Sequence, residues 1–515
     1  MISSNSANFV AELEVALGSQ FREWLLGEIC AENPSDDQRG VAEWICVNVI
    51  ADSDHPRSAV AELCHYDPEA GMSHIAKLRS QSGVLPDAFP DLTGDAVLDA
   101  LSELAYERYP ELLLRSGTGF TPSGTGDPRI ERATRDAIKD DPDLPFTSSS
   151  ADTDFIRVSR STGTSGPVQL AMAGTLILVA AWDLARFRFK EPTLSTLISS
   201  VPEILKELRS ACRRGKSKIL GLTALSGVLL PEEARMEFTE GFIRAARSED
   251  HPYVIRLLHG GSQASKLPDG SEIRIHDTGD ILLGAHVHAK TVVNGTKDLD
   301  SDQSLRSLEY LQEKVTQVRL AFLMSWADTN PPALIPTWNS FVTAFDPLGG
   351  WGWNDLHLFA SRTPTLLTQG QVDEWGLWME RLEKVPLPKL GLAPMRILRA
   401  SAERRDPYDS LIDAVIAWES LFGTEAEITF RVSASIARLI HPAGAKRNEL
   451  RRKAAGIYGM RSRVVHGVDV PASQVREASQ EAIRIALDCI RVVIRERPEL
   501  IRMSSAERSS VILME

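Results

Sequence analysis

Two spacings of apolar residues alternate along the chain, and the switches between them mark its organisation. Residues 1–112 carry helical spacing, as in FVAELEVALGSQFREWLLGEIC and GDAVLDALSELAYERY. Residues 113–167 break it. GTGFTPSGTGDP, TSSSADTD and SRSTGTSGP are rich in Gly, Ser, Thr and Pro and read as a loop or linker. Helical spacing returns from about Val168 to Ser248. Between Tyr253 and Val293 the runs become short and alternating: YVIRLLHG, SEIRIHD, then DILLGAHVHAKTVV. The turn signals PDG and TGD between them predict a small antiparallel sheet. A long helix, SLRSLEYLQEKVTQVRLAFLMSWA, follows, and then a Pro- and Trp-rich stretch without a clear period.

From residue 395 the pattern is helical almost to the end. Four helices are predicted: Tyr408–Phe422, ending at Gly423 as the C′ residue; about Glu427–Ile440, stopped by HPAG; about Arg447–His466, stopped by Gly467; and about Ser473–Arg497 after Pro471. The short connections make neighbours antiparallel, as in a bundle. The fold class is therefore mainly α with a small β portion. An α+β region over 168–394, read as regulatory, precedes a helical domain over 395–505.

Helix phase singles out two charges. In the third helix the apolar stripe runs Leu450, Ala454, Ile457, Arg461, Val464. In the first, an apolar line runs Ile412, Ile416, Glu419. An unpaired charge on either line would be costly, so a Glu419–Arg461 pair across the bundle is expected. Such a pair could equally serve only to fix helix register.

Composition narrows the setting. Net charge is −13 over 515 residues, against indiscriminate nucleic-acid binding. The charge is uneven. From residue 391 onward there are 20 Lys+Arg against 16 Asp+Glu; of the totals of 57 and 70, this leaves 37 against 54 for residues 1–390. The basic excess centres on KRNELRRK, where Lys446, Arg447, Arg451, Arg452 and Lys453 form either a solvated helix face or an RNA contact. Five scattered cysteines without CxxC spacing predict neither a disulfide framework nor a zinc site, and fit a reducing, cytoplasmic setting. The N-terminus has no leader pattern, and no apolar run spans a bilayer. His286 and His288 share one side of a predicted strand, with His276 and Asp277 nearby. A polar strand face explains them better than a metal site does. The loops GTGDP and TGTSGP lack P-loop chemistry and read as linkers. Trp351 and Trp353, in GGWGWND, read as core residues before base-stacking ones.

The segment IYGMRSRVVHG places Arg461 five residues before His466. Alone, that spacing is expected about once by chance in such a chain. Its context adds chemistry. His466 sits at a helix C-terminus, where the macrodipole favours imidazolium. A protonatable His beside an Arg suits phosphodiester cleavage: the His moves a proton and the Arg stabilises charge on the phosphorus oxygens. Five residues rotate a helix by about 140° beyond a full turn, so the two do not share a face.

The pieces RILRASAERRDPYDSLIDAVIAWESLFG, EITFRVSASIARLI and IYGMRSRVVHG, with its trailing helix, together resemble the HEPN superfamily, specifically its Apea-like C-terminal domains. The resemblance covers Arg396 to about Val493, a fifth of the chain. It implies an R-polar-x-x-x-H motif at Arg461, Ser462 and His466, with Glu419 at the family's acidic position in the first helix. Arg463 has no family role and reads as an RNA contact. The resemblance also implies metal-independent endoribonuclease activity without a cofactor, giving a 2′,3′-cyclic phosphate. It further implies a homodimer whose two motifs line one cleft. By family habit the setting is bacterial antiphage defence by abortive infection, with residues 1–390 sensing a phage or host trigger. The alternative is a catalytically silent HEPN module that binds RNA or a protein partner.

Overall fold

A computed structural model describes residues 8–27, 34–51, 63–89, 91–114, 126–148, 154–189, 191–231, 234–247, 250, 264–266, 272–274, 279–295, 299–326, 331–345, 352–353, 364–424 and 427–515. Among these, the chain is mainly helical with one substantial antiparallel sheet.

The N-terminal helices are α1 (Asn8–Leu17), α2 (Ser19–Leu26), α3 (Asp36–Ile45), α4 (His74–Gln81), α5 (Ala96–Leu113) and α6 (Pro128–Lys139). Helix α6 falls inside the expected linker. Its start signal is present in the sequence: Asp127 caps the Arg129 amide and Pro128 occupies the first turn, where a missing N–H costs nothing. The linker reading also fails at β1 (Asp154–Arg160) and β2 (Ser165–Gln169), a hairpin whose tight turn is the Ser- and Gly-rich stretch. Most of GTGFTPSGTGDP and TSSSADTD lies outside the described residues.

Helices α7 (Leu170–Arg188) and α8 (Leu194–Arg214) follow as expected. Helix α7 is long and apolar enough to cross a membrane by length and composition, but most of it is buried in the core, which explains its apolar residues on every side. The helical reading to Ser248 fails after Arg214. Gly215 adopts a left-handed φ of 64° and ends α8, and the chain turns into β3 (Lys216–Ser226), then β4 (Arg235–Phe238) and β5 (Gly241–Ala245). Strand β6 (Ile281–Val293) is DILLGAHVHAKTVV as predicted, and α9 (Arg306–Ser325) is the predicted long helix. YVIRLLHG lies outside the described residues. The Pro-rich stretch PPALIPTWNSF supplies β7 (Ile335–Val342).

The fold class is the expected one, mainly α with a small β portion; among the described residues its sheet has nine strands, and β1, β3, β5 and β7 come from segments read as loop, helix or unpatterned. Its middle runs β7–β3–β6. The other edge of β6 is shared by β5, along Ile281–Ala285, and β1, along Thr291–Val293. Both faces are covered. Leu220, Leu222 and Leu282 pack under α7 and α8, while Ile219, Ala285 and Val287 face Leu311 of α9.

The C-terminal part holds α10 (Gln369–Glu383), α11 (Ala393–Leu398) with a π-turn at Arg399–Glu403, α12 (Pro407–Phe422), α13 (Ile428–Ile440), α14 (Ala445–Val465), α15 (Ala472–Arg495) and α16 (Ser505–Met514). The four predicted helices are α12–α15, within two residues at each end. Gly423 departs from its expected role. Its φ is −69°, and glycine is needed there because a Cβ would lie 2.4 Å from the Glu419 carbonyl oxygen. Helix α12 is the bundle's centre: Ala414, Trp418 and Leu421 are fully buried, and Trp418 donates to the Ala482 carbonyl of α15 at 3.1 Å.

The boundary expected at residue 395 is not a seam. One apolar core runs from Leu225 and Ile281 of the sheet through α9 and α10 to Ile490 and Ile512. Polar contacts cross it as well. Arg491 of α15 donates to the carbonyls of Leu323, Met324 and Trp326, satisfying the open C-terminus of α9. Arg319 of α9 pairs with Glu403 of the π-turn at 2.8 Å. The bundle also extends beyond 505, since Arg508 of α16 is buried and donates to the last carbonyls of α12 at Ser420 and Leu421.

Candidate functional site

Helices α12 and α14 bring Glu419 and Arg461 together, but loosely. Arg461 Nη2 stands 3.8 Å from Glu419 Oε2, within ion-pair range and beyond hydrogen-bond length. Both side chains are about a quarter exposed, so the lines that carry them are half-buried rather than interior. The stripe of α14 explains this. Leu450, Ala454 and Ile457 are buried, and burial falls away through Arg461 and Val464 as the helix leaves the bundle.

A third residue, which the apolar pattern does not single out, holds the carboxylate. Tyr458 Oη donates to Glu419 Oε1 at 2.5 Å. Burial and this bond to Glu419 push the phenol pKa up to about 12. Tyr458 and Arg461 are three apart on α14 and meet the same carboxylate. The spacing is visible in the sequence, but a Tyr beside an apolar stripe reads first as packing. The Nε of Arg461 is buried and has no hydrogen-bond partner among the described residues. The outer Nη atoms make no hydrogen bond among the described residues and meet Glu419 only at ion-pair distance, so they rather than the buried Nε are the donors open to an anion.

His466 lies one turn on, as the C-cap of α14. Its amide donates to the Ser462 carbonyl at 3.0 Å. Gly467, with φ 73°, and Val468 close the helix by donating to the carbonyls of Val464 and Arg463, a Schellman arrangement. The imidazole is exposed and makes no side-chain hydrogen bond or ion pair among the described residues. Ser462 is half-buried. Helix rise separates Arg461 from His466 by about 7.5 Å along the axis as well as by rotation, so a single chain presents them on different sides. Val465 and Val468, on either side of His466, are about half exposed.

The basic run begins α14 rather than adjoining this site. Lys446 is about 22 Å from Arg461 along the helix. Its members also differ. Arg447 donates to the His441 carbonyl at 2.9 Å, Arg452 Nε reaches the Asn448 carbonyl at 3.4 Å, and Lys453 pairs with Glu481 at 3.1 Å. Glu481, shared with Arg484, has its pKa held down at about 2 by Arg484 first and Lys453 second. Lys446, Arg451 and Arg463 are exposed without such partners among the described residues.

His286 and His288 do share one face of β6, as expected. His286 is half-buried, with Nε2 at 3.4 Å from Arg188 Nη2, and Arg188 is clamped on Glu203. Burial, then Arg188, lower the imidazole pKa. Among the described residues no group of His, Cys, Asp or Glu could hold a metal ion. His276, Asp277 and Trp351 lie outside the described residues, as does the Trp353 side chain.

No family model, curated protein or solved structure matches the chain.

Proposed function

We propose that the C-terminal bundle is a metal-independent endoribonuclease of HEPN type that works as a homodimer. The observation that carries the proposal is the end of α14. There an Arg with uncommitted donors is steadied by Glu419 and Tyr458, and an exposed imidazole, without a partner among the described residues, caps the same helix. His466 would take the proton of an RNA 2′-hydroxyl as its oxygen attacks phosphorus. The bond to the 5′-oxygen breaks, that oxygen takes up a proton, and a 2′,3′-cyclic phosphate remains. Arg461 would stabilise the charge gathering on the phosphorus oxygens. A two-fold axis brings one chain's Arg461 towards the other's His466, and the exposed Val465 and Val468 beside it are apolar surface that a second copy would cover.

On this reading the protein is cytoplasmic and acts in antiphage defence by abortive infection, and the acidic residues 1–390 restrain the bundle until a trigger arrives. A silent RNA- or protein-binding module is the second reading. The engagement of Glu419 with both Tyr458 and Arg461, which is compatible with a purely structural pair, favours it. RNA cleavage by the purified protein in EDTA separates the two. Activity lost in His466→Ala and Arg461→Ala supports the enzyme, whereas equal cleavage by all three proteins sinks the site.

A further inference from the structure

On the α7–α8 face of the sheet, β3 and β6 set two lysines directly opposite one another, Lys216 against Lys290, and place His288 opposite Lys218. All four are exposed. The Thr291 amide donates to the Gly215 carbonyl at 2.9 Å, which brings exposed Arg214 to the same end. Directly opposed like charges destabilise a sheet. They stand here in a region that carries 54 acidic residues. Yet among the described residues only Glu240 reaches in, 3.4 Å from Lys218 and shared with Lys314 at 3.6 Å. Lys290 is met by the neutral Gln303. Packing and stability give no reason for this stripe, whereas binding of a polyanion does.

The spacing and surroundings say which polyanion. Basic side chains recur about 7 Å apart along each strand and about 5 Å across the pair, a row suited to successive charges on a linear chain. Among the described residues, none of the exposed large apolar side chains belongs to β3 or β6, so the stripe lacks the apolar anchors that peptide recognition relies on. Lysines rather than arginines supply most of the charge, giving point contacts without base readout. We infer that the Lys216–Lys218–His288–Lys290 stripe binds the phosphodiester backbone of a nucleic-acid strand, independently of sequence. This gives the acidic region a nucleic-acid contact of its own, and it stands whether or not the C-terminal bundle cleaves RNA.

The test is fluorescence anisotropy of the full chain with a labelled single-stranded DNA of 20 nucleotides, which lacks the 2′-hydroxyl and so reports binding alone. Lys216→Glu/Lys218→Glu should weaken binding at least tenfold, and the slope of log K against log salt should drop by about 0.7 for each phosphate that is no longer neutralised. Lys290→Glu alone should weaken binding while raising the thermal midpoint, because it turns a repulsive cross-strand pair into an attractive one. Unchanged affinity and salt slope in both variants would overturn the inference. So would equal competition by polyglutamate at matched charge, which would mark a generic polyanion surface. Lys446→Glu/Arg451→Glu in α14 serves as the comparison. If it alone abolishes binding, the strand sits on the bundle and not on the sheet.

Discussion

Tyr458 lies closer to Glu419 than Arg461 does, with its hydroxyl 2.5 Å from one carboxylate oxygen while the guanidinium stays 3.8 Å from the other. The phenol therefore satisfies the carboxylate and leaves Arg461 steadied but not consumed. Tyr458→Phe should let Glu419 draw Arg461 into a direct bond. On the proposed ribonuclease reading, cleavage should then fall about tenfold, or ~1.4 kcal/mol in transition-state terms. Adding Glu419→Gln should recover part of the loss, which a purely structural tyrosine would not allow.

The same bond has a pH signature. The phenol pKa is raised in the folded state, so its contribution to stability is complete below the ordinary tyrosine value of 10.0 and fades as pH rises towards about 12. Burial also pushes the Tyr109 phenol up, so spectrophotometric titration should show two late-ionising tyrosines, and Glu419→Gln should move only the Tyr458 one back down.

If the cleft is built from two chains, inactive variants should complement. Arg461→Ala supplies a good His466 and His466→Ala a good Arg461. Mixing them, with subunit exchange, should restore about a quarter of the wild-type rate, from one good site in half of the dimers. No recovery, with exchange verified by light scattering or labelled subunits, would place the active residues within one chain. Because His466 is exposed and has no partner among the described residues, His466→Ala should leave stability within about 0.5 kcal/mol by urea denaturation.

Arg491 ties the two halves of the molecule. Arg491→Ala leaves three carbonyls at the end of α9 without their donor, and should destabilise the whole protein by roughly 2–3 kcal/mol, read from denaturant midpoints. Calorimetry of the wild type should give one transition spanning sheet and bundle. Two resolved transitions would contradict the continuous core.

The basic run should divide on mutation. If the bundle binds RNA as proposed, Lys453→Ala should cost little affinity, since its ammonium is spent on Glu481, while Arg451→Ala should cost more. The Glu481 carboxylate is held near 2, so its stabilising contribution is full above the ordinary value of 4.5 and is lost as pH falls through about 2. Acid unfolding of Lys453→Ala compared with wild type checks this.

What the amino-acid pattern reveals follows physical lines. Helices α12–α15 are legible because their stripes, stops and short loops agree, and helix phase alone finds Glu419 opposite Arg461. Tyr458 escapes because an aromatic beside an apolar stripe has a simpler explanation in packing. Strand β3 escapes because both of its faces are buried from Ile219 to Leu225, so ILGLTAL shows no alternation and continues the hydrophobic tone of α8. Its marker is Gly215 at the helix end. Helix α6 and the β1–β2 hairpin are hidden by turn residues that punctuate structure as often as they replace it. The continuity of the core past residue 395 depends on contacts between distant segments, which local pattern does not report.

That continuity limits how the protein could have been assembled and how it can signal. Stripping away the sheet would lay bare the apolar flank of α9 and α10 on which Trp375 and the bundle rest. The C-terminal helices are therefore poor material for transplanting beneath another sensor. If residues 1–390 restrain the bundle as proposed, a message from the sheet would have to travel as a shift in packing, since among the described residues one core joins the sheet to the bundle.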